Sequence, residues 1–508
     1  MRSILFIALA LATSPAFAET HALHLVPAGE PRALPERILG ASAEPFWKAD
    51  RFLSDPERIA AVKSLRLGYV RFPGGSQSNY YDWKRGLFFV EPKADNSAYY
   101  ERFVDLSKWV VRALPQGVSL EQYEEFSEKI GAAVILVPNL ETASVGDQVE
   151  WFKHLAAKGA VPDHIELGNE FWGCMGQDPH VLKHWPDEPE SMRIMRRYLE
   201  AFRPCLPKGV KVAVQAAAPS FRGEESGHSR ALERLRQWNE DLKPEPWFDA
   251  VTIHLYPRLN EVLGRPDANK DPITPQIAER NLRALLARVD EGTDEALREV
   301  AERVPGKEIW VTEWNPMGAP GAGVEDRIVP TTPPLLLQLA TRMTLAILRH
   351  PQVAISQYFS IRFPADDPHC MFLQGHEGYQ PVPVAAALGW LNEAANGGAT
   401  FQRFTEAGAP RIPGGGVRKE SYAAVEAALF RGPGHATLIL QNVSAEARDW
   451  QAGRDLKLGK PSRVEQLGMP DLADPKIHAA QVENLPLSTD IPVPPYSVTR
   501  VVWKIHGP

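Results

Sequence analysis

Residues 120–139 read LEQYEEFSEKIGAAVILVPN, and this stretch contains the unit from which the fold is built. Apolar residues recur at helical spacing from Leu120 to Ile130, and a glycine then ends the periodic pattern. A short apolar run, 133–139, follows it. Alternation of such runs with helices is typical of parallel sheets, because a helix must carry the chain back to the start of each neighbouring strand.

Eight such runs occur along the chain, and helical segments separate them. They predict an α/β fold, a (β/α)8 TIM barrel with insertions. A doubly wound open sheet is the alternative, but no glycine-rich phosphate loop follows the first run. The runs are 38–44, 67–72, 133–139, 164–168, 211–216, 250–256, 308–313 and 354–360, and the helical segments include 120–130, 191–202, 274–289, 293–304, 334–349 and 383–395.

The pattern changes after residue 398, where alternating strands are separated by turn residues. This part of the chain predicts a small C-terminal β-sandwich, and segment 21–27, which also alternates, is expected to join it. The predicted sandwich strands are 422–430, 435–442, 463–466 and 496–504. The predicted division is a signal peptide at 1–18, an N-terminal strand at 19–34, the barrel at 35–398 and the sandwich at 399–508.

The first eighteen residues have the features of a secretory signal. Arg2 precedes an apolar run, 4–12, and Ala16-Phe17-Ala18 has the form of a signal peptidase site. The run is shorter than the roughly 20 residues that span a bilayer, which argues against a membrane anchor. The sequence therefore predicts an exported protein, periplasmic or secreted, whose mature chain begins at Glu19.

Composition excludes some classes of partner. The chain is 44% hydrophobic and 23% charged, which is ordinary for a globular protein. Its net charge is -7 and its basic residues are scattered, so no nucleic-acid partner is predicted. The apolar stretch 335–348 contains Gln338 and Arg342 and is interpreted as a buried helix, so no membrane span is predicted. Oligomeric state is not predicted.

Cysteine and histidine spacing indicates no metal site. Cys174, Cys205 and Cys370 could form one disulfide in an oxidising compartment, and the sequence leaves all three pairings open. The 14 histidines are dispersed, and no spacing resembles that of a zinc site. No metal and no cofactor is predicted.

Several predicted barrel strands end in chemically reactive groups. The C-terminal ends of the strands in such a barrel converge on one face, which carries the active site. These ends include Glu44, Arg71-Phe72-Pro73-Gly74-Gly75-Ser76, Gly168-Asn169-Glu170-Phe171-Trp172, His254-Leu255-Tyr256, Thr312-Glu313-Trp314-Asn315 and Gln357.

Glu170 and Glu313 meet the requirement for glycosidic bond cleavage. The reaction needs two carboxyl groups flanking the bond, one protonated to assist the leaving group and one ionised to attack the sugar or to activate water. A closed barrel would bring the ends of strands 4 and 7 to a common cavity. A single glutamate at a strand end is more commonly a surface or ion-paired residue, so the inference depends on the pair.

Neighbouring side chains strengthen this interpretation. Asn169 can donate its amide to a sugar hydroxyl next to the reacting carbon. Trp172 and Trp314 offer flat faces on which a sugar can stack, although each could equally be a core residue. Tyr256 could hydrogen-bond the nucleophile, and Arg71 could hold the charge of the nucleophile and lower its pKa.

The motifs at strands 4 and 7, 168–170 and 312–315, resemble the acid/base and nucleophile motifs of the retaining glycosidases of clan GH-A. Within that clan, the chain most resembles the α-L-arabinofuranosidases of family 51. The motifs that carry this closer resemblance are Arg71-Phe72-Pro73-Gly74-Gly75 with Tyr81-Asp82-Trp83, Phe171-Trp172-Gly173-Cys174 and His254-Leu255-Tyr256. The resemblance covers residues 38–395 in motif order and the C-terminal domain only loosely.

The resemblance implies a retaining, exo-acting hydrolase of oligosaccharides or polysaccharides, with Glu170 as acid/base and Glu313 as nucleophile. The predicted substrate-binding residues are Glu44, Arg71, Ser76, Asn169, Trp172, His254, Tyr256, Trp314 and Gln357. Of these, the resemblance assigns sugar-binding or nucleophile-supporting roles to Glu44, Asn169, Tyr256 and Gln357.

One position departs from the family. Ser76 stands directly after the Pro-Gly-Gly turn, where the family usually has asparagine, and that position touches the sugar. The glycone is therefore open, and a β-glucuronidase or β-xylosidase of the same clan remains an alternative. A barrel that binds carbohydrate without turnover and an inverting hydrolase are further alternatives. The first predicts loss of one carboxylate, and the second a carboxylate separation of about 6.5–9.5 Å.

Overall fold

The structure is a computed structural model of the 508-residue chain. It describes residues 21–46, 53–92, 98–173, 183–219, 221, 229–265, 267–268, 271–316, 332–363, 370–376 and 378–505. The predicted signal peptide, the predicted start of the mature chain at Glu19, and Cys174 lie outside these ranges.

Eight parallel strands form one sheet, which confirms the predicted barrel. Strand 2 is hydrogen-bonded to strand 3, and the pairing continues in chain order to strand 8, which pairs with strand 1. At the remaining seam, the Gly68 N–H donates to the Leu39 carbonyl at 2.7 Å, so the barrel is nearly closed. Strands 1 to 8 are Leu39–Ala41, Tyr69–Phe72, Ala133–Leu136, His164–Glu166, Lys211–Gln215, Ala250–Leu255, Glu308–Trp314 and Val353–Tyr358.

The barrel interior changes from apolar to polar towards the C-terminal ends of the strands. An apolar layer that includes Tyr69, Trp310 and Ile355 fills its lower part. Because strand side chains alternate between faces, the residues two positions further on should face the same interior. On strands 2 and 7 these are Arg71 and Thr312, both buried polar residues. The apolar layer thus closes the floor beneath a polar cavity.

Helices surround the barrel. Two predicted helices have the predicted bounds, Leu120–Ile130 and Pro383–Ala395, and Pro333–Arg349 begins one residue early. No helix in the described part of the chain is long and apolar enough to cross a membrane. The remaining α-helices are Pro56–Ser64, Ala98–Ala113, Val145–Lys158, Glu188–Phe202, Ser229–Asp241, Leu259–Leu263, Pro275–Ala287, Thr293–Arg303 and Ala452–Leu456, with 3-10 turns at Ser76–Tyr80 and Arg203–Cys205 and a π-turn at Arg288–Gly292.

The C-terminal strands form two further sheets. The larger includes Thr400–Glu406, Val425–Gly432, His435–Asn442, Arg463–Gly468, Glu483–Asn484 and Ser497–Lys504, and the smaller includes Arg448–Gln451 and Asp490–Val493. The N-terminal segment pairs with both: Leu25–Pro27 is antiparallel to Thr400–Glu406, and His21–Leu23 is parallel to Arg448–Gln451. Arg32–Ala33 also pairs with Thr400–Glu406. Three short ladders lie elsewhere: Tyr81–Asp82 with Leu87–Phe88, Phe372–Gly375 with Gly378–Pro381, and Ile412–Pro413 with Ser421–Tyr422.

A buried ionic cluster joins the barrel helices to the larger C-terminal sheet. Asp290, on the π-turn, lies 2.5 Å from Arg349 and 3.3 Å from Arg342, both on helix Pro333–Arg349. Arg349 also pairs with Glu426 on the sheet, and Arg403 on the neighbouring strand reaches Glu426 at 3.2 Å. Asp290 and Glu426 are almost wholly buried. We call these five residues the interface cluster.

The cysteines are separated in the fold. Cys205 is partly exposed and forms no disulfide, whereas Cys370 is buried in the main core. Of the three disulfide pairings that the sequence allows, the two that involve Cys205 are therefore not formed.

Candidate active site

Glu170 and Glu313 converge in the polar cavity, as their positions at the ends of strands 4 and 7 predict. Glu170 is 7% exposed and Glu313 is 5% exposed. One oxygen of each carboxyl group and one ring nitrogen of His254 lie within 4.8 Å of one another. Two nearly buried carboxyl groups thus face a common space.

A β-bulge on strand 7 aims Glu313 into this space. Ile253 on strand 6 pairs with Val311, but His254, the next residue, pairs with Glu313, so Thr312 is an extra residue. A bulge of this kind re-aims the side chains that follow it. Thr312 donates to the interior carboxylate of Glu166 at 3.1 Å, and Glu313 also contacts interior groups. Two consecutive side chains therefore face the cavity.

Trp314 does not offer the stacking surface that the sequence predicts. As the next residue after Glu313, it points away from the cavity, towards the helices. Its indole N–H donates to Ser356 Oγ at 2.8 Å, and its ring meets the edge of Tyr358 at 5.2 Å. Trp314 also lines a small space with Leu388 of the outer helix Pro383–Ala395. The substrate-binding prediction for Trp314 is wrong because the extra residue Thr312 turns Glu313 inward and the next side chain, Trp314, outward.

Trp172 lies beside His254, where its ring can form part of the cavity wall. Its ring centroid is 6.0 Å from that of His254, in an edge-on arrangement, and its side chain is nearly buried. The sequence predicts the same stacking role for Trp172 and Trp314, but the two side chains lie in different places. One lies beside the site and the other behind the barrel wall.

Arg71 donates to four acceptor oxygens on three residues in the barrel. Its Nη1 donates to Glu313 Oε1 at 2.5 Å, and its Nε and Nη2 donate to the two oxygens of Glu166 at 2.8 and 2.9 Å. Its Nη2 also donates to Asn169 Oδ1 at 2.8 Å. Burial opposes the charge of Arg71, but the carboxylates of Glu166 and Glu313 raise its pKa above the ordinary value. Arg71 is therefore a permanent cation against the Glu313 carboxylate.

Tyr256 holds the other oxygen of Glu313. Its hydroxyl donates to Glu313 Oε2 at 2.5 Å. Burial, followed by the charges of Glu313 and Glu170, raises the pKa of Tyr256 well above its usual value. The phenol keeps its proton, so both oxygens of Glu313 accept from groups that stabilise a carboxylate.

The hydrogen bonds around His254 fix one of its two ring protons. Burial favours a neutral Glu166, but Arg71 lowers the pKa of Glu166 below its ordinary value, so Glu166 accepts the Thr312 hydroxyl proton. Thr312 Oγ1, 3.1 Å from His254 Nε2, must then accept from that nitrogen. His254 Nε2 is therefore protonated.

The second nitrogen of His254 faces Glu170. Nδ1 lies 2.8 Å from Glu170 Oε1, a separation that requires one proton between them. Burial disfavours the charged imidazole, but the nearby carboxylates, led by Glu313, raise the pKa of His254 to about 9. Glu170 and His254 thus hold one proton in common.

Glu44 is a second buried carboxyl group near Glu313. Its Oε1 accepts from the Gly75 N–H at 2.7 Å. Burial and then the charge of Glu313 raise the pKa of Glu44 to about 7. A Cβ on Gly75 would lie 2.6 Å from Glu313 Oε1 and 3.3 Å from Glu44 Oε1. The glycine is therefore required for the two carboxyl groups to approach the same backbone.

Ser76 and Asn169 lie side by side at the edge of the site. The Asn169 amide nitrogen is 3.5 Å from Ser76 Oγ, a long hydrogen bond. Asn79 fixes the backbone of Asn169 from both sides, donating to its carbonyl at 2.9 Å and accepting from its N–H at 3.2 Å. Ser76 is partly exposed, whereas Asn169 is buried. A larger side chain at position 76 would therefore extend towards the Asn169 amide.

Gln357 lies on strand 8, paired with Gly40 of strand 1. It is fully buried, and neither atom of its amide has a hydrogen-bond partner among the residues that the structure describes. A buried amide without a partner costs about 1–3 kcal/mol, which is consistent with a group kept for a ligand or a water.

Sequence reasoning missed Glu166, Thr312 and Asn79, which support the predicted residues from behind. The sequence could have indicated Glu166, because it is a charged residue within a predicted strand whose other residues are expected to be buried. No comparable signal existed for Thr312, since strict alternation places Thr312 and Glu313 on opposite faces. Asn79 lies on the 3-10 turn Ser76–Tyr80, beyond the end of the Arg71–Ser76 motif.

The carboxylates and His254 could in principle ligate a cation, since their atoms lie within 4.8 Å of one another. Both oxygens of Glu313 already accept from Arg71 and Tyr256. A divalent ion here would lie against the Arg71 guanidinium and compete with its hydrogen bonds. The donor set fits a hydrogen-bonded acid pair better than a metal site, and the predicted absence of a metal remains a prediction.

The fold is that of the family 51 glycoside hydrolases, a barrel with a β-sandwich. A GH51 arabinofuranosidase from Xanthomonas axonopodis pv. citri superposes with a TM-score of 0.62 at 15% identity, covering 93% of this chain and 97% of that chain. An α-L-arabinofuranosidase from Thermotoga maritima, in an arabinose complex, gives 0.62 at 14% identity over 95% and 100%. A 4-O-α-L-rhamnosyl-β-D-glucuronidase from Fusarium oxysporum gives 0.57 at 13% identity over 95% and 100%.

Sequence comparison adds nothing to this likeness. No protein-family model matches the chain, and no curated protein matches it.

Proposed function

We propose that this protein is a retaining glycoside hydrolase of clan GH-A, with Glu313 as nucleophile and Glu170 as acid/base. The observation that carries the proposal is a pair of nearly buried carboxyl groups in unlike surroundings, with one oxygen of each within 4.8 Å of the other. Retaining enzymes hold their carboxyl groups about 5–5.5 Å apart, whereas inverting enzymes need room for a water between them. This separation supports the retaining mechanism over the inverting one.

The surroundings assign the two roles. Glu313 accepts hydrogen bonds on both oxygens, from Arg71 and Tyr256, and is thereby oriented for attack. Glu170 shares a proton with His254 and can pass it to the leaving oxygen. In the second step Glu170 takes a proton from water, which attacks the glycosyl–Glu313 ester. Both carboxylates are in place, which argues against a barrel that only binds carbohydrate.

The charges of the site support a neutral glycone. Among the described residues around the carboxylates, Arg71 is bonded to Glu166, Asn169 and Glu313, and His254 to Glu170. A uronic acid would add a carboxylate near Glu313, where the Arg71 guanidinium already donates to Glu166, Asn169 and Glu313. Together with the family 51 fold, this favours an exo-acting α-L-arabinofuranosidase, with a β-xylosidase as the other neutral candidate and a β-glucuronidase disfavoured.

A screen of 4-nitrophenyl glycosides tests the substrate. The purified protein should cleave the α-L-arabinofuranoside faster than the β-D-xyloside, and both faster than the β-D-glucuronide. NMR of the first product formed should show retained anomeric configuration. A preference for the glucuronide would overturn the neutral-glycone argument, and an inverted product would overturn the mechanism.

Replacing Glu313 and replacing Glu170 should reduce activity in different ways. Glu313→Ala should lose nearly all turnover and recover with azide to give a glycosyl azide of inverted configuration, because only the nucleophile forms the covalent intermediate. Glu170→Ala should keep activity on aryl glycosides with good leaving groups, which need little protonation. Equal losses for Glu170→Ala on activated and unactivated substrates would contradict its role.

Export and domain division complete the proposal. The signal-like segment 1–18 supports cleavage before Glu19 and a periplasmic or secreted enzyme. The change of pattern after residue 398 supports a division into a barrel, 35–398, and a sandwich, 399–508. N-terminal sequencing of the protein recovered outside the cytoplasm tests the first statement, since a sequence that starts at Met1 would contradict cleavage.

A further inference from the structure

The backbone of Glu170 is held in an uncommon conformation. Its φ is +51°, in the left-handed region that residues with a side chain rarely adopt. This region costs roughly 1–2 kcal/mol for a non-glycine residue, and it persists only where the surroundings hold it. The position of the Glu170 carboxyl group therefore depends on whatever fixes the chain just after it.

Phe171, the next residue, is fixed by its backbone and by its ring. Its N–H donates to Gln215 Oε1 at 2.8 Å. Its ring stacks on Trp185 with centroids 3.6 Å apart and planes 7° from parallel. On Gly168, an added Cβ would lie 2.2 Å from the Phe171 ring, so the ring also packs tightly against the strand.

Arg234 is the third restraint, and it joins two separate parts of the chain. From helix Ser229–Asp241, its Nη2 donates to the Phe171 carbonyl at 2.8 Å and to the Trp185 carbonyl at 2.6 Å. Its Nη1 donates to the Pro186 carbonyl at 2.6 Å. The guanidinium thus bridges the chain after Glu170 to the residues that precede helix Glu188–Phe202.

We propose that Arg234 is a positioning residue for Glu170, acting through the Phe171 carbonyl. It touches neither carboxyl group, so its effect on the reaction is indirect. The planar guanidinium spans three carbonyls with fixed geometry, whereas a lysine ammonium cannot reproduce that spacing. The kinetic part of this inference rests on the proposed hydrolase function, but the structural part does not.

Kinetics on a leaving-group series test the kinetic part. Arg234→Met should lower kcat/KM for arabinofuranosides with poor leaving groups by about 10- to 100-fold, and for the 2,4-dinitrophenyl substrate by less than about 3-fold, because a displaced acid matters most where protonation is needed. Arg234→Lys should recover part of the loss. The control Arg236→Met changes an exposed arginine on the same helix and should leave the series unchanged.

Backbone amide exchange of the peptide that contains Phe171 tests the structural part without any substrate. It should be faster in Arg234→Met than in wild type, and unchanged in Arg236→Met. Unchanged exchange in Arg234→Met would overturn the proposal, as would equal kinetic losses across the whole leaving-group series. If the wild type cleaved no glycoside while Arg234→Met exchanged faster, the proposed function would fail and the positioning role of Arg234 would stand.

Discussion

Glu44 shows how strongly one buried group depends on its neighbours. It accepts a single backbone hydrogen bond, from Gly75, and lies near the charged Glu313. Its pKa of about 7 means that the folded protein retains a proton that the unfolded chain releases near pH 4.5. The stability that this retained proton gives is therefore lost as the pH rises from about 4.5 to about 7.

Glu44→Gln should remove this pH dependence, because the amide is neutral at every pH and can still accept from Gly75. The free energies of unfolding of wild type and variant should be closest at pH 5. At pH 8 the wild type should have lost about 2–3 kcal/mol relative to the variant. Urea unfolding at both pH values measures the difference. A constant gap between the two proteins would show that Glu44 is not protonated near neutral pH.

Ser76 is the residue at which the chain departs from the family pattern that it resembles. Its hydroxyl makes a long contact with the Asn169 amide. Ser76→Asn should place a second amide there and shift preference towards arabinofuranosides if the native glycone is another sugar. A polar mismatch in such a site is worth on the order of 1–3 kcal/mol. If kcat/KM values across the glycoside panel keep their ranking and size, position 76 does not shape the glycone site.

Strand 7 illustrates what a sequence pattern predicts about an element and what it leaves out. Its bounds, Glu308–Trp314, differ by one residue from the predicted run. The arrival of Glu170 and Glu313 at one face follows from strand ends alone. The bulge at Thr312 does not, because it is set by how strand 7 pairs with strand 6. That pairing decides that Thr312 and Glu313 share the cavity and that Trp314 lies outside it.

Thr312→Val tests the hydrogen bonds that the bulge makes possible. Valine keeps the shape of the side chain but leaves the His254 Nε2–H without its acceptor, so the pKa of His254 should fall from about 9. The alkaline limb of kcat/KM against pH should then move to lower pH by about one unit. Thr312→Ser, which keeps the hydroxyl, should restore the wild-type profile. If the alkaline limb of the Thr312→Val profile does not move, Thr312 does not help to set the pKa of His254.

At the scale of the molecule, the sequence predicts the barrel and the β-sandwich but not how they are joined. Eight strand–helix units and the later change of pattern are local signals, readable within windows of about ten residues. The interface cluster is not local, since Asp290, Arg342 and Glu426 come from three distant segments. Nothing in the sequence near any one of them indicates its partners.

The interface cluster should make the barrel and the C-terminal sheet unfold together. Glu426→Gln removes one of the two buried anions that Arg342 and Arg349 share, and the anion that Arg403 contacts, so it should cost about 3–5 kcal/mol. The matched control is Glu190→Gln, which removes an exposed partner of Arg193 and should leave the urea midpoint unchanged. Two separate unfolding transitions in the wild type would show that the cluster does not couple these parts.

The N-terminal strands have a consequence for how the chain acquires its structure. The Leu25 N–H donates to Asp455, a partner 430 positions later. At a synthesis rate of about 5–20 residues per second, tens of seconds pass before that partner exists. During this time the edges of His21–Leu23 and Leu25–Pro27 stay unpaired and open to association with other chains. A factor that sequesters the nascent N-terminus should therefore raise the yield of native protein more than one that acts on the finished chain.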